Sequence, residues 1–175
     1  MMTARATVHT WLLCLALIAG PALAAEIDEV RRLHAAGQGV EAIERARKAV
    51  AAAPKDAAMR FQLAVMLADA GRAAEARELL EQLVQEHPDL PEPYNNLAAL
   101  KAAAGDYEGA KASLDQALRA NPSLAAAHEN LGDVQLMLAL RSYARAQQLD
   151  PASATLPAKL TLLRQLLREL PTAKP

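Results

Sequence analysis

The side chains capable of chemistry are few and scattered. His34, His87 and His128 stand apart, with no second His four residues away and no Cys beside them. A metal site needs several such ligands to converge, so none is expected. Ser113, Ser123, Ser142 and Ser153 have no neighbouring base, and a nucleophilic serine needs one within hydrogen-bond reach. Gly37-Gln38-Gly39 is too short to cradle a phosphate and reads as a turn between helices. Glu75, Glu78, Glu81 and Glu86 run along one helix with Arg72 and Arg77; they read as a solvated face with weak ion pairs. No catalytic residue and no cofactor are expected, and an enzyme is not the reading these residues support.

One polar series is different. Gln62, Asn96 and Asn130 are spaced by 34 residues. Each side-chain amide carries a donor and an acceptor, the same pair that an extended peptide backbone offers. A series of this kind becomes a surface only if the scaffold repeats with the same period.

The scaffold must be helical. The chain has 175 residues and a formal net charge of −1. It contains 42 Ala, but one Phe, one Trp and three Tyr. That balance disfavours pleated sheets, which need β-branched and aromatic residues, and favours closely packed helices. Hydrophobic content of 53% argues against disorder. The near-zero charge argues against nucleic-acid partners, because phosphate neutralisation needs a basic patch.

The 34-residue period is strong. It relates Pro54, Pro88 and Pro122; Gly37, Gly71 and Gly105; Ala42, Ala76 and Ala110; Leu63, Leu97 and Leu131; and Ala64, Ala98 and Gly132. Each unit reads as helix, turn, helix. In the third, Pro91 opens a helix whose face carries Tyr94, Leu97, Ala98 and Lys101. Gly105 ends it in a left-handed turn, and Asp106 is placed to cap the next helix. Ala110, Leu114, Ala117 and Leu118 form that second helix's stripe, and Asn121-Pro122 ends it. The small residues Ala64, Ala98 and Gly132 are expected to let the two helices of a unit approach closely.

In its period, its Gly turn, its buried Ala pair and its terminal Pro, the chain resembles the tetratricopeptide repeat (TPR) family. The segments Asn95-Asn96-Leu97-Ala98, Gly105 to Ala110 and Glu129 to Asp133 carry the likeness. Arg60 and His128 depart from it, standing where an opening aromatic is usual, and Leu83 replaces a small residue. The resemblance implies an all-α fold: a right-handed α-α superhelix, or TPR solenoid, of three to four helical hairpins with a C-terminal capping helix. It also implies that the first helix of each repeat lines a concave face. Gln62, Asn96 and Asn130 would then form a peptide-binding ladder there, flanked by Phe61, Val65, Asn95, Ala99, Glu129 and Asp133. The chaperone-tail carboxylate clamp of some TPR domains needs cations on this face. Only Asn96 and Asn130 resemble such residues, and Ala126 stands near where a cation would be wanted.

The repeats are expected over 25–56, 57–90, 91–124 and 125–151. The last is shortened: Pro122 to Pro151 is five residues under the period, and the Gly turn is missing. One continuous helix over 125–148 is expected, with two shortened helices and a turn near 139–142 as the alternative. A capping helix follows within 152–170, with Leu156, Leu160, Leu163, Leu167 and Leu170 on one face. The rival reading is a helix lying on a membrane. The tail, 171–175, is expected to fray.

Residues 1–24 read as an export signal. Arg5 precedes an apolar run from Trp11 to Ala19, Gly20-Pro21 breaks the run, and Ala22-Leu23-Ala24 offers a small-x-small cleavage site. Cleavage before Ala25 removes Cys14, the only cysteine. An uncleaved N-terminal membrane anchor is the alternative. Otherwise the mature form is expected not to span a membrane, which takes about 20 apolar residues. The expected function is an exported, periplasmic, noncatalytic scaffold or adaptor for a protein or peptide segment, serving cell-envelope assembly. The alternative is a chaperone-like holdase, for which Phe61, Val65, Leu136 and Met137 would supply apolar surface. The sequence leaves the oligomeric state open.

Overall fold

The structure, a computed structural model, describes residues 19–169. The export signal expected over 1–24 lies outside the described residues for 1–18, as do Leu170 and the tail. The described residues form eight α-helices and no strand. The chain divides into two compact units, residues 1–62 and 63–175, and the division falls inside α3 (Ala57–Asp69).

The first unit holds α1 (Ala19–Ala35), α2 (Gly39–Ala52) and the start of α3. Within the described residues α1 includes Gly20 and Pro21. Val30 and Leu33 of α1 are buried, as are Ala42, Ile43 and Ala46 of α2. Gly37 turns between these helices at φ 77°. Arg45 of α2 grips Glu26 of α1, with Nε to Oε1 at 2.7 Å, and lies 3.6 Å from Glu29. The guanidinium holds the Glu26 carboxyl below the usual carboxylate range. Glu29 is lowered mainly by its hydrogen bond from Arg32.

The second unit continues α3 and adds α4 (Ala73–Glu86), α5 (Pro91–Ala103), α6 (Tyr107–Ala120), α7 (Ala125–Leu149) and α8 (Leu156–Glu169). Pro91 begins α5 as the sequence required. Gly105 turns at φ 79°, and the Asp106 carboxylate accepts from Gly109 N at 2.9 Å to cap α6. Ala98 packs in one core with Ala110, Leu114, Ala117, Ala127 and Val134, so the two helices of this repeat meet over Ala as expected. Leu83 is fully buried here, and in the first unit Arg60 is buried despite its charge.

The shortened fourth unit is one helix of 25 residues. With the turn deleted, nothing interrupts the i to i−4 bonding, and no Gly or Pro lies between Gly132 and Pro151. Gly132 therefore does not do what its series suggested. A Cβ added there would meet no atom within 4 Å, because no second helix folds back over it. The final helix α8 packs on α7, burying Leu160 to 1% exposure and half-burying Leu156, Leu163 and Leu167.

Candidate peptide-binding groove

The first helices of the third and fourth units, α5 and α7, stand in contact, and a groove of about 310 Å³ opens between them. Ala98, Ala99, Ala102 and Ala103 form its α5 side, Leu114 and Val134 add apolar surface, and Asn95, Asn96, Asn130 and Asp133 supply the polar groups. The floor is alanine because helices that must approach closely cannot carry larger side chains. The same small residues leave room above them. A second, smaller hollow joins Val65 and Ala68 of α3 with Asn96 and Ala99 of α5.

The amides are linked. Asn130 Nδ2 donates to Asn95 Oδ1 at 2.9 Å, and Asn95 Nδ2 donates to Asn96 Oδ1 at 3.3 Å. Asn95 thus joins the two ladder positions. Each of the three amides keeps hydrogen-bonding capacity beyond these two bonds. The sole ionisable side chain lining the groove is Asp133. The groove is therefore neutral to mildly acidic.

Of the residues singled out in the sequence, Asn95, Asn96, Ala99, Asn130 and Asp133 line this groove, and Val65 lines the smaller hollow beside Asn96. Glu129 is exposed on α7 outside both. Phe61 and Gln62 are half-buried in the first unit, where Gln62 Oε1 accepts from Arg31 Nε at 3.1 Å. Ala102 and Ala103 were not singled out, although they lie one helical turn beyond Ala99 and follow from helical spacing alone. Arg141 was missed as well. It donates to both Glu108 carboxylate oxygens at 2.9 Å and to Gly105 O at 3.1 Å, and it lies 5.1 Å from the Tyr107 ring centre. That cluster ties α7 to the turn between α5 and α6 and so fixes one wall of the groove. Among the described residues no group of His, Cys, Asp or Glu could hold a metal ion.

The helical hairpins and their period define a class, and comparison with known families names it. Two tetratricopeptide repeat profiles match, one over residues 33–103 and the other over 95–154. The chain belongs to the tetratricopeptide repeat family, and its fold is the all-α TPR solenoid. No curated protein matches it at a significant level. Among solved structures, it is similar to the first TPR of Spaghetti (RPAP3) bound to the HSP90 peptide SRMEEVD, with 20% identity, TM-score 0.63, and coverage of 67% of this chain and 93% of that one. It is similar to a tetratricopeptide repeat protein from Parabacteroides merdae, with 16% identity, TM-score 0.64, and coverage of 87% and 62%. The Sgt2 TPR domain from Aspergillus fumigatus is a third, with 19% identity, TM-score 0.63, and coverage of 73% and 83%.

Proposed function

We propose that the chain is an exported, noncatalytic adaptor that holds an extended protein segment in the groove between α5 and α7. The observation that carries this reading is the pairing of an alanine floor with the amides of Asn95, Asn96 and Asn130. Apolar side chains of a ligand would fill the floor, and the amides would bond its backbone N–H and C=O groups. The repeats expected over 25–151 position the first helices that carry these residues. Val65, Ala99, Glu129 and Asp133 belong to the recognition surface in this reading.

The groove also selects against one kind of ligand. The similar RPAP3 domain binds a peptide ending in EEVD, whereas this groove has Asp133 and no cation along its lining. An acidic tail would bury its charge against a like charge. The preferred segment is neutral or basic.

In this reading the export pattern in 1–24 supports a periplasmic protein with a partner in the cell envelope, where assembly of envelope components would be the process served. Among the described residues no helix is long and apolar enough to cross a membrane. N-terminal sequencing of the fractionated protein tests this part; a mature start at Ala25 supports it, and a full-length chain held in the membrane contradicts it.

Binding is tested by panning a display library of extended peptides against the purified protein and measuring affinity by calorimetry. Enriched sequences should share an apolar pattern without acidic runs, and Asn96→Ala with Asn130→Ala should weaken them at least tenfold. A holdase would instead suppress aggregation of many unfolded clients with no loss in the same double variant.

A further inference from the structure

The deleted turn in the fourth unit leaves the α7 backbone uncovered at Gly132 beside half-buried Leu131, and α8 of the same hairpin shows an exposed leucine row. The first face is on the opening half of α7, residues 125–138. Its Gly132 occupies the register of Ala64 and Ala98, which are 0% and 1% exposed. Gly132 itself is exposed, with open space where a Cβ would project. Its neighbour Leu131 is half-buried, whereas Leu63 and Leu97 at the same register are each 4% exposed. In the complete third repeat a 14-residue second helix, α6, lies over this register. In the fourth, that stretch of chain runs straight on as the closing half of α7.

The second face is on α8. While Leu160 points into α7, Leu162 and Leu166 project on another side at 67% and 41% exposure. One helical turn separates them, so they form a row. This helix has 14 residues, the length of α4 and α6, which serve as second helices in the repeats before it. The charges also match. Exposed Glu129 lies one turn before Gly132, residues 125–138 carry no Lys or Arg, and α8 carries Lys159, Arg164 and Arg168 against Glu169.

The two faces cannot meet within one chain. The α8 helix folds back on the closing half of α7, where Lys159 Nζ lies 5.2 Å from the Tyr143 ring centre, and α7 is unbroken between that half and Gly132. We propose that a second copy of this chain supplies the missing helix. The α8 of each copy lies over Leu131 and Gly132 of the other, with Leu162 and Leu166 in the contact. The exchange is reciprocal, so it closes as a twofold dimer and leaves no face free to propagate. Gly132 is the residue that lets the incoming helix approach the α7 backbone. Neither Leu131 nor Gly132 lines the α5–α7 groove, so the contact does not use the amides of the peptide-binding reading.

Sedimentation equilibrium of the full chain over a range of concentrations tests the proposal. Wild type should be a dimer. Leu162→Glu with Leu166→Glu should shift the dimer dissociation constant at least tenfold upward with the helical circular dichroism unchanged, and Gly132→Arg, on the opposite face, should do the same. With Cys14→Ser as background, Gly132→Cys and Leu162→Cys together should form disulfides between copies. A chain that stays monomeric at 100 times its working concentration overturns the proposal, as does a dimer that both face variants leave intact. A disulfide formed within one chain shows that α8 reaches its own α7 face, which also overturns it. A monomer that pellets with vesicles of phosphatidylglycerol, and loses this with Leu162→Glu and Leu166→Glu, shows that a lipid surface takes the α8 face instead.

Discussion

Asn130 on α7 donates its side-chain N–H to the Asn95 carbonyl oxygen on α5 at 2.9 Å, across the floor of the groove. The two residues are 35 positions apart, one more than the repeat period, so equivalent positions in neighbouring repeats do not bond directly. Asn95 instead connects Asn130 to Asn96. The bond holds the amides at fixed angles before any ligand arrives, which lowers the ordering cost of binding. Asn130→Ala should cost about 1 kcal/mol of stability, a typical net value for one hydrogen bond. Asn95→Ala should cost a similar amount, and the double variant less than the sum. Urea unfolding of the four proteins measures this coupling.

Ala98 and Gly132 occupy the same register and should respond in opposite ways. Ala98→Leu drives extra methylenes into the packed α5–α6 contact and should destabilise by about 1–3 kcal/mol. Gly132→Ala meets no atom and should stabilise the monomer by about 0.5–1 kcal/mol through helix propensity. Thermal unfolding at high dilution checks both signs.

Gly71 and Gly105 turn at φ 74° and 79°. Neither lacks space for a Cβ, so the backbone angle alone should penalise a side chain there. Gly71→Ala and Gly105→Ala should each cost about 1–2 kcal/mol. Asn should cost less than Ala at both positions, because its short polar side chain tolerates the left-handed region. Denaturant midpoints of the four variants check this ranking.

Arg141 anchors α7 to Glu108 and to Gly105 O. The ion pair is exposed, so Arg141→Ala should lower stability by less than about 1 kcal/mol. Its larger effect should be on geometry, seen as faster amide exchange in the turn at 104–106. Glu108→Gln should reproduce part of that change, and salt should diminish the wild-type protection.

The Glu26–Arg45 pair gives the α1–α2 hairpin a pH dependence. The guanidinium lowers the folded-state carboxyl from its ordinary value of 4.5. The native state therefore binds fewer protons than the unfolded chain over the acidic range. The stabilisation is fully present above pH 4.5 and is lost as pH falls through the depressed folded value. The pair is exposed to water, which screens it and keeps its contribution small. A carboxyl-detected NMR titration should find Glu26 low in wild type and ordinary in Arg45→Gln.

Local chemistry made much of the helical framework legible. Gly37, Gly71 and Gly105 mark turns that require positive φ, Pro91 marks a helix start, and Asp106 caps α6 as its residue type dictates. The absence of a breaker after Gly132 was enough to anticipate one long helix in place of a hairpin. Two features were not legible. The open space at Gly132 follows from the missing helix, although its series with Ala64 and Ala98 implied a close helix contact there. The roles of Asn95 and Arg141 depend on which way long-range side chains point, and periodicity carries no such information.

Side-chain amide resonances give the sharpest reading of the groove. In a two-dimensional NMR titration with a peptide selected from the library, the NH₂ pairs of Asn95, Asn96 and Asn130 should shift together and saturate at the calorimetric affinity, while backbone amides of exposed Glu78 and Glu81 on α4 stay in place. If the three amide pairs remain unmoved while the peptide binds, and shifts gather on α4 or elsewhere, the groove between α5 and α7 is not where this protein holds its partner.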